Sequence, residues 1–215
     1  MNWSSDFAYC VGLIATDGNL SKDGRHIDFT SKDLEQVMNF KRIIKPDVNV
    51  GHKKSLDGTK YPNIQFSDVK LYRFLVSIGL YPNKSKTLRQ INVPNELFAD
   101  FLRGCFDGDG HSYSYWDKRW RSSFMLYIGF SSASLVFIQW LKTKIFEQFN
   151  IVGNIKGKGS VLQLMYAKNN SKVLAQKMYY SNSITCLSRK RCKLDLALGI
   201  ISKQAGVEKL VYSLP

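Results

Sequence analysis

The sequence predicts an α+β fold made of two pseudo-symmetric halves, each with the element order αββαββα. In this fold two antiparallel sheets form a saddle over a pair of packed helices. Two observations predict it. A mostly apolar helical segment that ends in Asp-Gly occurs twice, at residues 10–18 and 102–110. Each copy is followed by a similar series of alternating and helix-like segments, which indicates an internal repeat with residues 1–90 and 91–215 as its halves.

The composition predicts a folded protein that binds a polyanion. Of the 215 residues, 44% are hydrophobic and 13% are aromatic, which is enough to form a substantial core. The formal net charge is +14 at pH 7 and the sequence pI is about 9.6. A positive excess of this size favours nucleic acid as the partner over the simpler alternative of a soluble basic protein. None of the four cysteines belongs to a CxxC pair, so we do not expect a zinc site.

The sequence indicates a soluble intracellular protein. Residues 1–6 lack the basic and then apolar pattern of a signal peptide, and no apolar run reaches membrane-spanning length. Cys10 and Cys105 lie within the apolar helices as small hydrophobic residues, which suggests a reducing compartment. We therefore expect the cytoplasm of a bacterium or phage host, or an organelle, and no membrane partner. The internal repeat further predicts a monomer with pseudo-two-fold symmetry.

The first half is predicted to run helix, two strands, helix, two strands, helix. Ser4, Ser5 or Asp6 can cap the first helix, and Asp17-Gly18 fits its C-terminus because glycine adopts the left-handed conformation there. The later elements are a turn-rich segment over 19–25, a strand over 25–30, a helix over 32–45 capped by Ser31 and ended by Pro46, strands over 47–55 and 61–67, and a helix over 68–78. One side of the helix over 32–45 is predicted to carry Leu34, Val37, Met38, Lys41 and Ile44.

The second half repeats this order. Its predicted elements are a strand over 121–131 with Phe124, Leu126, Ile128 and Phe130 on one face, a helix from Ser132 or Ser134 to about Phe149, a hairpin of strands over 151–158 and 160–167, and a helix over 169–180. Ser31 and Ser132 each follow a predicted strand and lie 101 residues apart (132 − 31). The two motif acids, Asp17 and Asp109, lie 92 residues apart (109 − 17). These intervals support the repeat.

The motif acids point to a metal ion. Each stands at the negative end of a helix dipole, where a cation would be favoured instead. A pseudo-two-fold axis would place the two helices side by side, with Gly12 and Gly104 allowing close approach, so that Asp17 and Asp109 meet. Two adjacent carboxylates repel unless a cation or a shared proton lies between them. Hard oxygen ligands favour Mg²⁺, which can activate water for phosphodiester cleavage.

The predicted sheets offer a surface for double-stranded DNA, because a twisted sheet with a polar face fits along a major groove. The candidate base-reading residues are the wet-face positions His26, Asp28, Lys53, Asn63, Gln65, Ser123, Tyr127, Lys156, Lys158 and Gln163. The candidate phosphate contacts, which give affinity without sequence information, are Arg25, Lys54, Lys60, Lys118, Arg119 and Arg121.

The two motifs, CVGLIATDG at residues 10–18 and LRGCFDGDG at residues 102–110, resemble the paired signature of the LAGLIDADG homing endonucleases in their single-chain form. The resemblance covers nearly the whole chain, because the order of the downstream segments also matches. It implies a site-specific endonuclease that hydrolyses both strands of a long DNA site and leaves short 3′ overhangs. The first motif has Ala15 where the family name has an acid, whereas the second keeps Asp107.

Carried over residue by residue, the resemblance implies that Asp17 and Asp109 are the metal ligands. The carbonyls just before them, at Thr16 and Gly108, would complete the metal shell. The implied cofactor is Mg²⁺ or Mn²⁺, and Ca²⁺ would be a non-productive substitute.

The resemblance also implies further catalytic residues. The family's active-site lysine falls on Lys86 and Lys190 in two basic clusters, with Lys84 and Arg189 as alternatives in register. The polar residue that organises water at the start of the second helix of each half falls on Ser31 and Ser132, where the family often has glutamine.

Other functions on the same fold stay open at this stage. The chain could be an RNA maturase that assists intron splicing and binds intron RNA, or a DNA-binding regulator that does not cleave. Retention of both motif acids argues against the regulator, which needs no metal, but not against the maturase. A plain structural nucleic-acid-binding protein would not explain two acids in mirrored positions.

Overall fold

A computed structural model describes residues 2–45, 47–120, 123–157 and 159–212, with side chains through residue 204. The elements of the first half are helix α1 (Ser5–Thr16), strands β1 (Gly18–Leu20) and β2 (His26–Thr30), helix α2 (Leu34–Ile44), strands β3 (Gly51–Lys54) and β4 (Lys60–Ser67), and helix α3 (Val69–Ser77). The second half consists of α4 (Phe98–Asp109), β5 (Gly110–Trp116), β6 (Phe124–Ser132), α5 (Leu135–Phe149), β7 (Asn154–Lys156), β8 (Leu162–Ala167), α6 (Asn169–Met178) and α7 (Ser188–Tyr212).

The two halves have the same topology, which confirms the predicted α+β fold. Each contains one antiparallel sheet of four strands, ordered β1-β2-β4-β3 in the first half and β5-β6-β8-β7 in the second. Each half also runs αββαββα, and α7 follows as an addition to the second. None of the helices in the described ranges has both the length and the apolar character needed to cross a bilayer.

Helices α1 and α4 pack against each other at the centre of the molecule. Every residue of α1 from Phe7 to Ala15 is buried, and a helix that is apolar on all sides belongs inside the core. A Cβ added to Gly12 would lie 2.2 Å from the carbonyl oxygen of Phe101, and one added to Gly104 would lie 2.0 Å from that of Tyr9. The predicted role of these glycines in helix contact is therefore confirmed.

The glycines that follow the motif acids act differently from the prediction. Neither Gly18 nor Gly110 has a positive φ, and Gly110 is extended with φ −78° and ψ 155°. Each begins a strand that folds back against its own helix. A Cβ on Gly18 would lie 2.6 Å from Cα of Ile14, and one on Gly110 would lie 2.5 Å from the carbonyl oxygen of Phe106. Close approach of the backbone, and not a left-handed conformation, explains why glycine stands there.

Each half contains the two strands that the predicted order places after its first helix, but the sequence pattern did not locate the first strand of either pair. Strand β1 occupies the start of the segment predicted as turn-rich, and it pairs with β2 immediately after α1. Strand β5 pairs with β6 along seven residues. The predicted hairpins are present, with three of their four strands shorter than predicted and with Gly58 (φ +84°) and Gly157 (φ +110°) in their turns. Pro46, the predicted end of α2, lies outside the described residues.

Helix α2 starts later and turns a different side inward than predicted. Its N-cap is Asp33, so Ser31 precedes the helix and does not cap it. Val37 is buried as expected, but Leu34 and Met38 are 57% and 47% exposed. The reason is a tertiary contact that the sequence pattern does not show. The ring of Phe40 stacks on that of Phe29, with the ring centroids 4.4 Å apart.

A buried polar network holds the segment that leads into α7. Arg103, fully buried in α4, pairs with Asp100 at 2.8 Å and donates to the carbonyl oxygens of Met178 (3.0 Å) and Thr185 (2.9 Å). Asp107 accepts a hydrogen bond of 2.7 Å from the backbone N–H of Leu187. The acid that the second motif keeps is thus structural, and it fixes the start of α7 beside the end of α4.

Candidate active site and nucleic-acid interface

The two motif acids line one cavity at the ends of the central helices. Asp17 is the C-cap of α1, Asp109 is the last residue of α4, and the cavity beside them has a volume of about 390 Å³. A Cβ on Gly108 would lie 2.0 Å from Oγ1 of Thr16 and 2.9 Å from Oδ2 of Asp17, so the two helix ends touch here. The structure therefore brings Asp17 and Asp109 together, as the sequence predicted.

The charged groups of this site differ in exposure: Lys84 and Lys190 are buried, Asp17 is half-buried and Asp109 is exposed. Burial and the neighbouring Asp109 carboxylate raise the pKa of Asp17 to about 7. Burial also raises the pKa of Asp109. It lowers the pKa of Lys84 and of Lys190, each to about 8. Each carboxylate is thus destabilised in its charged form. A divalent cation held between the two would offset both the loss of hydration and the repulsion between the carboxylates.

The donor chemistry fits Mg²⁺ or a similar hard cation. Two carboxylates supply oxygen ligands, and such ions commonly take their remaining ligands from water and substrate phosphates. Within the described ranges no cluster of three or more His, Cys, Asp or Glu residues could hold a metal by itself. The carbonyl of Gly108 fits the shell poorly, because it accepts a hydrogen bond from the Lys190 ammonium at 3.0 Å. The carbonyl of Thr16 stays a predicted ligand.

Lys84, and not Lys86, is the lysine of the first half that reaches the site. Lys84 is buried and its Nζ donates to the carbonyl oxygen of Gly18, whereas Lys86 is exposed. Both lie in a 3₁₀ turn (Lys84–Lys86), where residues two apart point to different sides. The alternative register is therefore the one adopted, and the prediction for Lys86 is wrong.

Lys190 occupies the matching place in the second half, as predicted. Its Nζ donates to the carbonyl oxygens of Phe106 (2.6 Å), Asp107 (2.8 Å), Gly108 (3.0 Å) and Gly110 (2.7 Å). These groups belong to the C-terminal end of α4, where carbonyls lack helical partners and favour a cation. Lys190 is thus bound to the backbone more tightly than Lys84, although each contacts the glycine that follows its motif acid.

The predicted serines lie at equivalent positions just before α2 and α5. Oγ of Ser31 accepts from the N–H of Asp33 at 3.2 Å, and Oγ of Ser132 accepts from the N–H of Ser134 at 3.1 Å. Ser31 lines the cavity that contains both acids, and Ser132 lines an adjoining one of about 240 Å³ that includes Asp109. Their proposed role with water stays a prediction.

Gln36 is a residue of the site that the sequence did not single out. It is only 2% exposed and lines the cavity with both motif acids. Its Oε1 accepts from Ser31 at 2.5 Å, and its Nε2 has no hydrogen-bond partner among the described residues. The sequence does contain a glutamine five positions after Ser31 (36 − 31). The predicted start and orientation of α2 did not assign this glutamine to a face of the helix.

An ion pair between the halves closes one wall of the cavity. The guanidinium of Arg189 at the start of α7 donates to Asp33 through Nε at 2.9 Å and Nη2 at 2.7 Å. Ser188 donates to Glu35 at 2.5 Å beside it. Arg189 therefore positions α7 against α2, and it is not the active-site cation of the second half.

The strand register places the candidate readers of the first sheet on one face. Asp28 lies opposite Gln65, Thr30 opposite Asn63, and Lys53 opposite Tyr61, and residues directly opposite in a sheet share a face. His26 alternates with Asp28 on the same strand. The opposite face carries the buried Ile27, Phe29, Ile64 and Phe66. Lys54 and Lys60 pair with each other on that other face, at the exposed end of the hairpin.

In the second sheet the same alternation holds. Tyr127 lies opposite Tyr113, and Gln163 lies between Lys156 and Ser131 on one face. Ser123 precedes β6.

The exposed candidate phosphate contacts carry local ion pairs, between Arg25 and Asp23 at 3.6 Å and between Arg119 and Asp117 at 3.3 Å. Lys118 is exposed in the loop beside Arg119, and Arg121 and Lys158 lie outside the described residues.

Comparison with solved structures identifies the fold. The chain superposes on full-length DUF199/WhiA from Thermatoga maritima with a TM-score of 0.60 and 15% identity, covering 95% of this chain and 62% of that one. It is similar to the homing endonuclease I-WcaI bound to its DNA recognition sequence, with a TM-score of 0.61 and 14% identity over 89% and 88% of the two chains. The LAGLIDADG homing endonuclease I-GzeII in complex with its DNA target matches with a TM-score of 0.60 and 11% identity, over 99% and 94%.

Comparison at the level of sequence says less about the fold than comparison of structures. No protein-family model matches the chain. An A-type ATP synthase protein of Methanopyrus kandleri is 27% identical over 103 residues, which are 48% of this chain and 10% of that protein. The chain thus spans about a tenth of this curated relative and less than two thirds of the WhiA chain. At these identities the structural matches show that the chain has a LAGLIDADG fold.

Proposed function

We propose that the protein is a site-specific endonuclease that cuts both strands of DNA with a divalent metal ion and leaves short 3′ overhangs. The observation that carries this proposal is the pairing of Asp17 and Asp109 in one cavity, with the buried Lys84 and Lys190 behind them. A structural role would not require two adjacent acids whose pKa values are both raised. The DNA-bound homing endonucleases that share the fold support the same conclusion.

The substrate would be double-stranded DNA lying along both sheets. The net charge of +14 supplies the attraction for the backbone. Polar side chains follow the outward face of the first sheet, with His26, Asp28 and Gln65 within reach of base edges. The acids lie at the inner ends of the two sheets, so the bonds to be cut would be those at the centre of the site.

Each residue of the cavity has a proposed task. Asp17 and Asp109 would hold Mg²⁺ or Mn²⁺, which when bound lowers the pKa of water and stabilises a leaving oxygen. Lys84 and Lys190 place positive charge beside the phosphate, and a pKa of about 8 keeps most of each ammonium protonated at neutral pH. The Nε2 group of Gln36 would donate to a water molecule and orient it. Ca²⁺ would occupy the same carboxylates without supporting hydrolysis.

The alternative functions use the same fold without DNA cleavage. A non-cleaving DNA-binding regulator has no use for the paired acids, so their presence argues against it. An RNA maturase would bind intron RNA and could keep the acids, so binding to RNA has to be measured beside cleavage.

The test is cleavage of a plasmid library with randomised inserts in the presence of Mg²⁺. We expect a small set of inserts to be linearised, with 3′ overhangs at the ends when these are sequenced, and no linear product when Ca²⁺ replaces Mg²⁺. If DNA or RNA binding persists but no insert is cut on both strands, the endonuclease assignment is wrong.

A further inference from the structure

The outward faces of the two sheets differ in chemistry although their topology is the same. Along the first sheet that face carries charged and amide side chains such as His26, Asp28 and Gln65. Along the second sheet the middle of the face carries Tyr113, Tyr115 and Tyr127. This contrast is unexpected in a repeat whose halves would otherwise read DNA in the same way.

The three tyrosines form a compact aromatic cluster. Tyr127 on β6 lies against Tyr113 on β5, with ring centroids 4.8 Å apart and planes inclined by 12°. Tyr115 is 6.0 Å from Tyr127 and 6.4 Å from Tyr113, and all three planes agree within 12°. Tyr113 and Tyr115 remain 42% and 45% exposed. The cluster is thus packed ring against ring and exposed towards any molecule that lies on the sheet.

Two buried methionines lie on the same face as the cluster. Met125 lies opposite Tyr115, and Met165 lies opposite Gly129. A Cβ on Gly129 would lie 2.5 Å from the sulfur of Met165 and 2.6 Å from Nε2 of His111, so these two side chains cover the space above the glycine. Both methionines are buried, so the exposed aromatic surface of this face is that of the tyrosine rings, whose hydroxyl groups lie at their ends.

The surface occupies the outer part of the second sheet. Strand β6 runs from Phe124 towards Ser132, which lines a cavity with Asp109. Tyr127 and Met125 therefore lie far from the acids, whereas Ser131 and Gln163 lie near them. Arg119, in the loop that follows β5, stands beside the tyrosines, and its charge can contact a phosphate at this outer end.

We propose that the second sheet recognises thymine methyl groups in the outer part of its DNA half-site, whereas the first sheet recognises base edges by hydrogen bonds. This inference rests on the proposed function, since it assumes that the sheet lies in a major groove. In that groove thymine differs from cytosine by its C5 methyl group, and apolar side chains are its partners. Tyr113 and Tyr127 cover part of each other's ring faces, and the exposed parts of Tyr113 and Tyr115 offer apolar ring atoms for methyl contact.

The experiment compares thymine with uracil, which lacks only the methyl group. A duplex selected from a random library is resynthesised with deoxyuridine replacing thymidine in one half-site at a time. Affinity is measured by fluorescence anisotropy with Ca²⁺ present. A 5-iodouracil base at the same positions, photocrosslinked to Tyr113 or Tyr115, identifies the half-site under the second sheet.

We expect deoxyuridine in that half-site to weaken binding by about three- to fivefold for each contacted methyl group, and by less than twofold in the other half-site. Replacing both exposed rings, in Tyr113→Ala/Tyr115→Ala, should abolish the difference. The matched control Gln65→Ala, on the first sheet, should leave it intact. Circular dichroism checks that each variant is folded.

Equal effects of deoxyuridine in the two half-sites, or none in either, would overturn the inference while the endonuclease proposal stands. Tighter binding of single-stranded DNA or RNA than of the duplex, lost in the double tyrosine variant, would assign the surface to unpaired bases instead. Failure to select any duplex would overturn the proposed function and this inference together.

Discussion

Gln36 and Phe137 occupy equivalent positions in the two halves, 101 residues apart (137 − 36), and both are buried, yet one is an amide and the other a ring. The Nε2 group of Gln36 finds no hydrogen-bond partner in the described part of the chain. The two sides of the cavity are therefore chemically unequal. If Gln36 orients a water molecule, it assists the cleavage of only one of the two DNA strands.

We predict that Gln36→Ala slows cleavage of one DNA strand by about 10- to 100-fold, the range typical of a lost positioning contact. The other strand should be cut at a nearly unchanged rate, so nicked plasmid should accumulate. The measurement uses a duplex with a different label on each strand. A matched control is Gln204→Ala in α7, outside the site. Equal slowing of both strands would argue that Gln36 supports the cavity as a whole.

The two lysines of the 3₁₀ turn provide a second test. Lys84→Met should lower the cleavage rate by about 100-fold, because it removes a positive charge next to the reacting phosphate. Lys86→Met, on the exposed side of the same turn, should change the rate by less than about threefold. Single-turnover rates at saturating Mg²⁺ distinguish the two. A larger loss in Lys86→Met than in Lys84→Met would restore the register first predicted from the sequence.

The pKa of Asp17 predicts how stability without metal depends on pH. Its value of about 7 in the folded protein lies above the usual value near 4 of the unfolded chain. The folded state therefore binds more protons between these values, and its stability should fall as pH rises from about 4 to 7 and then level off. Because Asp17 is only partly buried, solvent reduces the expected loss to roughly 2 kcal/mol.

Urea denaturation across this pH range measures that loss. Asp17→Asn should remove part of the slope, because burial also raises the pKa of Asp107 to about 6 and raises that of Asp109. The variant should be more stable than the wild type at pH 8 in EDTA. Mg²⁺ should stabilise the wild type at pH 8 but not at pH 5, since the protonated carboxyl is a poor ligand. A wild type whose stability rises between pH 4 and 7 would contradict the raised pKa.

The contact between α1 and α4 can be tested without reference to catalysis. Gly12→Ala would place a methyl group 2.2 Å from a backbone oxygen of α4, so we expect a loss of about 3 kcal/mol in the free energy of unfolding. Gly199→Ala, in α7 with nothing within 4 Å of the added Cβ among the described residues, should stabilise by up to about 1 kcal/mol. A mild effect at Gly12 would mean that the two helices are further apart.

The sequence alone predicted the parts of the fold that depend on local pattern and on repetition. The doubled Asp-Gly segment located Asp17 and Asp109, and small residues located the contact at Gly12 and Gly104. What it missed depends on tertiary structure. The 3₁₀ turn selects Lys84, and the stacking of Phe40 on Phe29 directs Gln36 inward.

The aromatic surface was missed for a related reason. Tyr127 was identified on an alternating strand, but β5 was not, so Tyr113 and Tyr115 had no predicted face. Helix α7 was foreseen only as a basic cluster, because the buried Arg103 and Asp107 contacts that fix its start come from residues distant in sequence.

The most direct measurement follows cleavage and binding in parallel for the wild type, Asp17→Asn and Asp109→Asn on a DNA site recovered from the plasmid library. With Mg²⁺ we expect the wild type to cut both strands and each variant to lose cleavage by at least about 10³-fold. Affinity measured with Ca²⁺ should change by less than about tenfold. Variants that still cut, or that lose binding and folding together, would show that the paired acids are structural and that no metal centre lies between them.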